Sequence, residues 1–445
     1  MFPLRDVLVT GIILTSLPVS FFRPWIGVLV WTWFGVMNPH RMTWDFANNY
    51  PFAQLLAMAT LAGIPFARDR KPLPRTLETY ILLGLWALFT VSTVFAIFPR
   101  EAWEQWQKVS KIFLFTFIGL IFLQDRARLR YLALILALSI GFFGLKGGLW
   151  SLMTGGINRV EAPEGSFLGG NTMLALGLDM ALPFFIFLAR EESNPWLRRL
   201  LWTVFLFSIP AVVFTYSRGG LLGLAVVLIF SAAKLNRKLV GATVFTTIAI
   251  SLLAFAPLRW FDRVHTIANY ESDGSAMSRL MAWDVAFRFA LDHPFIGGGY
   301  FATAHDDSYL KYAGTQGSAV AHSIWFSVLS EHGFPALILF AALIVCCVLR
   351  LRRLRRPSGG VVPAPWVVSY SHMLEISIMG YAVAGSFLNA AYMDVYYWVV
   401  TLVILLDVVA TREIQDRAKT LSAQASTPTM RVKPSRRLLQ YHRLR

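Results

Sequence analysis

Cationic and imidazole side chains stand at a few places where an apolar neighbour would be cheaper, and their types point to chemistry on an anion. Arg218 lies in Thr215-Tyr216-Ser217-Arg218-Gly219-Gly220, a turn with almost no loop between two apolar runs. A guanidinium at bilayer depth costs roughly 2.5–3.5 kcal/mol on insertion scales, so it normally faces a cavity or an anion. Gly219 allows close approach of a ligand and opens a run whose helical N-terminal amides would favour phosphate. The blander alternative is an interfacial arginine snorkelling to lipid phosphates.

Arg279 lies early in a candidate surface helix over Ser275–Asp292, where Leu280, Trp283, Phe287 and Ala290 recur at three- and four-residue spacing. Arg288, nine residues on, falls about half a turn round that helix, so the two do not easily enter one site. Arg279 is the catalytic candidate of the pair, and Arg288 is kept as a substrate contact. His322 stands where a long polar segment enters an apolar run. Its imidazole titrates near neutral pH and could take a proton, although a lone histidine is more often structural. Lys146, Arg159 and Asn171, around segment 151–170, are further candidates for lining a polar cavity.

His305-Asp306-Asp307 is the competing constellation for a divalent cation. Consecutive loop positions rarely converge on one ion, so neither a metal nor another cofactor is expected. Cys346 and Cys347 are adjacent in one apolar run and cannot easily pair in a helix, so they are read as packing residues.

The elements that must hold these residues are membrane helices. The chain has 445 residues, 56% of them hydrophobic and only 15% charged, a balance unlike that of a soluble domain. Spans are expected near 51–67, 77–97, 109–123, 131–150, 171–189, 200–216, 218–234, 239–256, 323–349, 373–391 and 394–410, with a broken or paired element before residue 37. The expected fold is all-α: a polytopic integral membrane protein of about twelve transmembrane helices, forming residues 1–410.

The net charge of +16 does not signal nucleic acid, because the basic residues cluster in short connectors. Arg68, Arg70, Lys71 and Arg75 form one; Arg350, Arg352, Arg353, Arg355 and Arg356 form another. That placement is the mark of cytoplasmic loops. It sets 38–50, 98–108, 151–170 and a large loop, 257–321, on the periplasmic side, with a cytoplasmic N-terminus preferred. Residues 411–445 read as a basic, disordered cytoplasmic tail.

In order along the chain, Ser217-Arg218-Gly219-Gly220 lies between two spans. Arg279 and Trp283 follow, then Pro294 and Gly297-Gly298-Gly299, and finally His322 with Glu331 and Gly333 at the start of a late span. This order resembles the O-antigen ligase family, which shares broad features with O-antigen polymerases and protein O-oligosaccharyltransferases. The resemblance implies a metal-independent glycosyltransferase of the bacterial inner membrane, with its active site facing the periplasm. The donor would be a glycan on undecaprenyl pyrophosphate and the acceptor a sugar hydroxyl of lipid A-core, with membrane lipids as surroundings. In that reading Arg218 and Arg279 neutralise the pyrophosphate and His322 takes the acceptor proton.

Ser323 stands where asparagine is common in that family. Gly144-Leu145-Lys146-Gly147-Gly148 is similar to a subgroup associated with other bacterial surface glycans, which leaves the acceptor open. A polymerase or a protein-directed ligase shares the chemistry. A transporter of lipid-linked glycans or anions would use the same arginines without breaking a bond, and should carry polar groups at several depths.

Overall fold

The computed structural model describes residues 3–166, 168–234, 274–315, 320–357 and 362–426, and among them it is helical throughout with no β-strand. The helices are α1 (Leu4–Phe22), α2 (Pro24–Met37), α3 (Phe52–Gly63), α4 (Leu77–Val94), α5 (Pro99–Phe122), α6 (Arg126–Met153) and α7 (Gly170–Glu191). They continue as α8 (Pro195–Val213), α9 (Arg218–Lys234), α10 (Gly274–Asp292), α11 (Asp306–Ala313), α12 (Ile324–Leu354), α13 (Pro365–Gly385) and α14 (Asp394–Ser426). The expected span at 239–256 and the first part of the expected loop 257–321 lie outside the described residues.

Local chemistry sets the boundaries. Thr76 and Asp125 cap α4 and α6 by accepting from the backbone N–H of Thr79 and Arg128, and Pro24, Pro99 and Pro365 open their helices where no N–H is missed. Among the described residues seven helices are long and apolar enough to cross a membrane: α1, α4, α6, α7, α8, α12 and α14. The chain is thus a polytopic, all-α membrane protein, with seven such helices where about twelve were expected. Part of the difference is length, since α2 and α3 have 14 and 12 residues. Another part is α5, where the expected outer segment 98–108 is the first half of the helix and lowers its apolar content. α14 runs past residue 410, where the sequence turns polar, to Ser426.

Small residues let the helices approach closely, as packing in a bilayer requires. Side chains added at Gly141 and Gly144 of α6 would come within 2.6 Å of Val204 and 2.1 Å of Ser208 on α8, and one at Gly148 within 1.9 Å of the Phe207 carbonyl oxygen. The basic end is tied by ion pairs. Arg350 grips the buried Glu78 of α4 through Nε and Nη2, both at 2.8 Å, and reaches Asp407 of α14 at 2.8 Å. Arg352 and Arg355 hold the buried Glu375 of α13 at 2.7 and 2.5 Å. The arginine cluster is therefore also a clamp across four helices.

The N-terminus corrects an expectation. The turn after α1 sits at the basic end, where Arg128 lies over Trp25 and Tyr131 stacks on it. The start of α1 lies at the opposite end: the Asp6 carboxylate accepts from the backbone N–H groups of Trp44, Asp45 and Ala47, and Arg5 covers Trp44. α1 and α2 form a hairpin, so the N-terminus shares the end of residues 42–47 and not that of the arginine connectors.

Candidate functional site

At the end away from the arginine clamp, the turn before α9 is held from three sides. Asn171 donates from Nδ2 to the Thr215 carbonyl at 2.9 Å, Val160 donates its backbone N–H to Phe214 at 2.9 Å, and the Tyr216 hydroxyl donates to Gly156 at 2.5 Å. Tyr216 itself takes a left-handed φ of 56°. Ser217 accepts from the Gly220 N–H and caps the helix. Arg218 is thereby set, half-buried, as the first residue of α9. The glycines after it are consumed by packing: a side chain at Gly220 would meet Ala175 of α7 at 2.5 Å, and one at Gly219 would meet Phe387 at 3.4 Å.

The surface helix expected over Ser275–Asp292 is α10, Gly274–Asp292. Trp283 anchors it to the start of α12, donating from Nε1 to the Ala321 carbonyl at 2.7 Å and stacking on Phe326 with ring centroids 5.3 Å apart. Arg279 lies one turn earlier on the same face. His322 follows Ala321 with a left-handed φ of 46°, a strained state typical of residues held for a purpose. Burial lowers the His322 pKa from 6.5, and the charge of the Arg279 guanidinium lowers it further. The imidazole is therefore neutral at neutral pH and able to accept a proton.

These two clusters meet at the segment after α13. The Phe387 ring lies against Trp283, with centroids 6.1 Å apart, and its Cβ lies 3.4 Å from where a side chain on Gly219 would begin. Ser386 accepts from Trp325 Nε1 at 2.8 Å, and Asn389 Oδ1 accepts from the Ser327 hydroxyl at 2.9 Å. Phe387 thus contacts both Gly219, next to Arg218, and Trp283, one turn after Arg279, and Trp283 bonds the carbonyl of the residue before His322.

Below His322, α12 breaks at Gly333, whose φ is 80°, with Pro335 next to it. The turn Gly297-Gly298-Gly299 docks into the break: Gly298 and Gly299 donate to the carbonyls of Ser330 and Glu331, and Phe334 donates to Pro294. Glu331 is buried yet satisfied, accepting from the Tyr392 hydroxyl at 2.5 Å and the Phe301 N–H at 3.2 Å. The break therefore joins the polar loop to α12 and to residue 392 together.

Other expected site residues are placed elsewhere. Lys146 is exposed on α6, away from the glycine face that packs on α8. Arg159 pairs with Glu161 at 3.6 Å. Arg288 is exposed and bonded to Asp284 one turn back, at 3.0 Å. Asn171 orients the turn before Arg218 through the Thr215 carbonyl. His305 pairs with Glu101 at 2.9 Å, and among the described residues no three His, Cys, Asp or Glu side chains gather as a ligand set.

Sequence reasoning missed Phe387, Ser386 and Asn389, which carry no distinctive type or spacing. It also missed Arg41, whose Nη1 donates to Asn48 at 3.2 Å and whose guanidinium lies 3.4 Å from where a side chain on Gly165 would begin. Its signal was a cation in a polar outer segment, 38–50.

Comparison with known proteins adds two matches. Residues 4–193 match a family of unknown function, DUF5935, and a search of curated proteins gave no match. The turn before Arg218, the α10 arginine, His322 and the break in α12 all fall in the second matched stretch. That stretch, residues 203–341, matches the O-antigen ligase family model.

Proposed function

We propose that the protein transfers a glycan from undecaprenyl pyrophosphate to a sugar hydroxyl of lipid A-core at the periplasmic face of the inner membrane. The observation that supports this is that Phe387, at the end opposite the arginine clamp, contacts both Gly219, next to Arg218, and Trp283, which lies one turn after Arg279 and bonds the carbonyl of the residue before His322. The positive-inside bias supports a cytoplasmic side for the basic connectors, which in this reading directs the site outward.

In this reading the acceptor oxygen attacks the anomeric carbon as the bond from that carbon to the phosphate oxygen breaks. The acceptor proton passes to the neutral imidazole of His322, and the departing pyrophosphate oxygen keeps the electron pair of the broken bond, its charge neutralised by Arg218 and Arg279. Guanidinium forks can neutralise such a leaving group through paired hydrogen bonds. No divalent ion is needed for that step, so activity should persist in EDTA; abolition by EDTA with recovery in magnesium or manganese would contradict it.

The direct test supplies the purified full chain with a lipid-linked glycan and lipid A-core, and measures release of undecaprenyl pyrophosphate together with the ligated product. Release without ligation to lipid A-core, but with elongation of the glycan, would favour a polymerase. Movement of intact donor across the bilayer with neither product would replace the enzyme by a transporter.

A further inference from the structure

Glu101, Glu104, Gln105 and Lys108 stand on α5 at spacings that place them on one helix face. They do not simply face solvent. With Phe301 and His305 opposite, they line a cleft of about 270 Å³, close to the roughly 300 Å³ at which small-molecule sites begin.

Both walls are fixed before any ligand arrives. Ile97, just ahead of α5, donates its N–H to the Gly298 carbonyl at 2.9 Å. Phe301 takes a left-handed φ of 61° and gives its N–H to the buried Glu331. His305 lies against the Phe98 ring, with centroids 3.6 Å apart, and its Nε2 is 2.9 Å from a Glu101 carboxylate oxygen. A cleft fixed on both sides loses little entropy on binding.

We propose that this cleft binds an uncharged sugar ring of the glycan substrate, a proposal that rests on the glycosyltransferase reading. Carboxylates and an amide accept from hydroxyls, Lys108 donates to them, and the Phe301 ring offers an apolar surface to sugar C–H groups. With Arg100 lying 3.6 Å from Glu104, the two carboxylates are balanced by that guanidinium and the Lys108 ammonium, so the cleft offers a phosphorylated or acidic sugar no net attraction, unlike the arginine site. Glu331, which holds the cleft wall, lies nine residues after His322, on the order of 13 Å along a helix. The cleft therefore serves a ring further along the glycan than the one that reacts. That glycan belongs either to the donor or to the acceptor.

The test is saturation-transfer NMR on the full chain in detergent, with methyl glycosides of glucose, mannose and N-acetylglucosamine as probes and glucose 1-phosphate as the charged comparison. At least one neutral glycoside should receive transfer, more strongly than the phosphate. The signal should weaken about tenfold in a Glu104→Ala, Lys108→Ala variant and in Ala304→Trp, which fills the cleft. Unchanged thermal unfolding would show that these exposed substitutions leave the fold intact.

No transfer to any neutral glycoside would overturn the proposal. So would transfer that both variants leave unchanged, or a preference for the phosphate. His322→Ala should keep the sugar signal while losing ligation. Sugar binding in a protein that never releases undecaprenyl pyrophosphate would instead remove the enzymatic reading and leave the cleft. With the enzyme active, a raised KM for donor alone or for acceptor alone in Ala304→Trp assigns the ring to its source.

Discussion

His322 combines a left-handed backbone with an environment that keeps its ring neutral, and both properties matter for a proton acceptor. The lowered pKa sets the sign of the pH response. Ligation should stay high as pH falls to 6.5 and decline only below that value, because protonation of the base is postponed by burial and by Arg279. An acid limb at or above 6.5 in the kcat/KM profile would assign the titration to another group. His322→Gln keeps a hydrogen-bonding amide but cannot take the proton, so its turnover should match that of His322→Ala; retained turnover would make His322 a positioning residue. Arg218→Ala and Arg279→Ala should each lower the rate on the order of 100-fold, as loss of one electrostatic contact to developing charge typically does. Lysine at either position should recover only part of this, since it lacks the planar fork. Near-normal ligation by either alanine protein at equal expression would remove that arginine from the site.

At the scale of elements, α10 reaches the site through Trp283. Its indole makes one hydrogen bond and two ring contacts, to Ala321, Phe326 and Phe387. Trp283→Ala should release that end of α10 and displace Arg279, and a misplacement of about 1 Å can cost 100-fold in rate. Trp283→Phe keeps the stacking and should fall between the two; equal activity of all three proteins in the ligation assay would show that α10 is positioned by other contacts. This helix was legible in the sequence, because Leu280, Trp283, Phe287 and Ala290 repeat at helical spacing. What it docks on was not legible. Phe387 and Ser386 were read as the end of an apolar span near 373–391, whereas α13 stops at Gly385. Hydropathy alone does not separate a helix end from an apolar turn. The outer half of α5 was lost for the converse reason: its polar stripe looked like a loop, while Pro99 at its start and unbroken helical spacing mark a helix.

For the whole molecule, the arginine clamp marks one end and the turn before α9 lies at the other. Charge gave an expected direction, but the path of the first 37 residues was not readable. Two short apolar runs fit one broken crossing or a hairpin equally well, and only the Asp6 contacts to residues 44–47 choose the hairpin. The testable consequence is that the N-terminus and the loop carrying α11 face the same compartment. In a protein with Cys346 and Cys347 replaced, single cysteines at Trp44 and Thr315 should both react with a membrane-impermeant thiol reagent in intact spheroplasts. One at Arg356 should stay unlabelled until the membrane is opened. Labelling at Arg356 alone would invert the molecule and with it the periplasmic assignment.

The shared wall at Phe387 has a practical bearing on engineering. It touches the helix of one arginine and the anchor of the other, yet residues 386–389 lie beyond the matched stretch that ends at 341. Mutant libraries confined to that stretch would vary the cations and leave the surface that spaces them untouched. Changes at Ser386, Phe387 and Asn389 would alter the gap between the α9 turn and the α10 face without removing any charge. Selection for a new glycan partner should therefore start with this short, chemically plain segment.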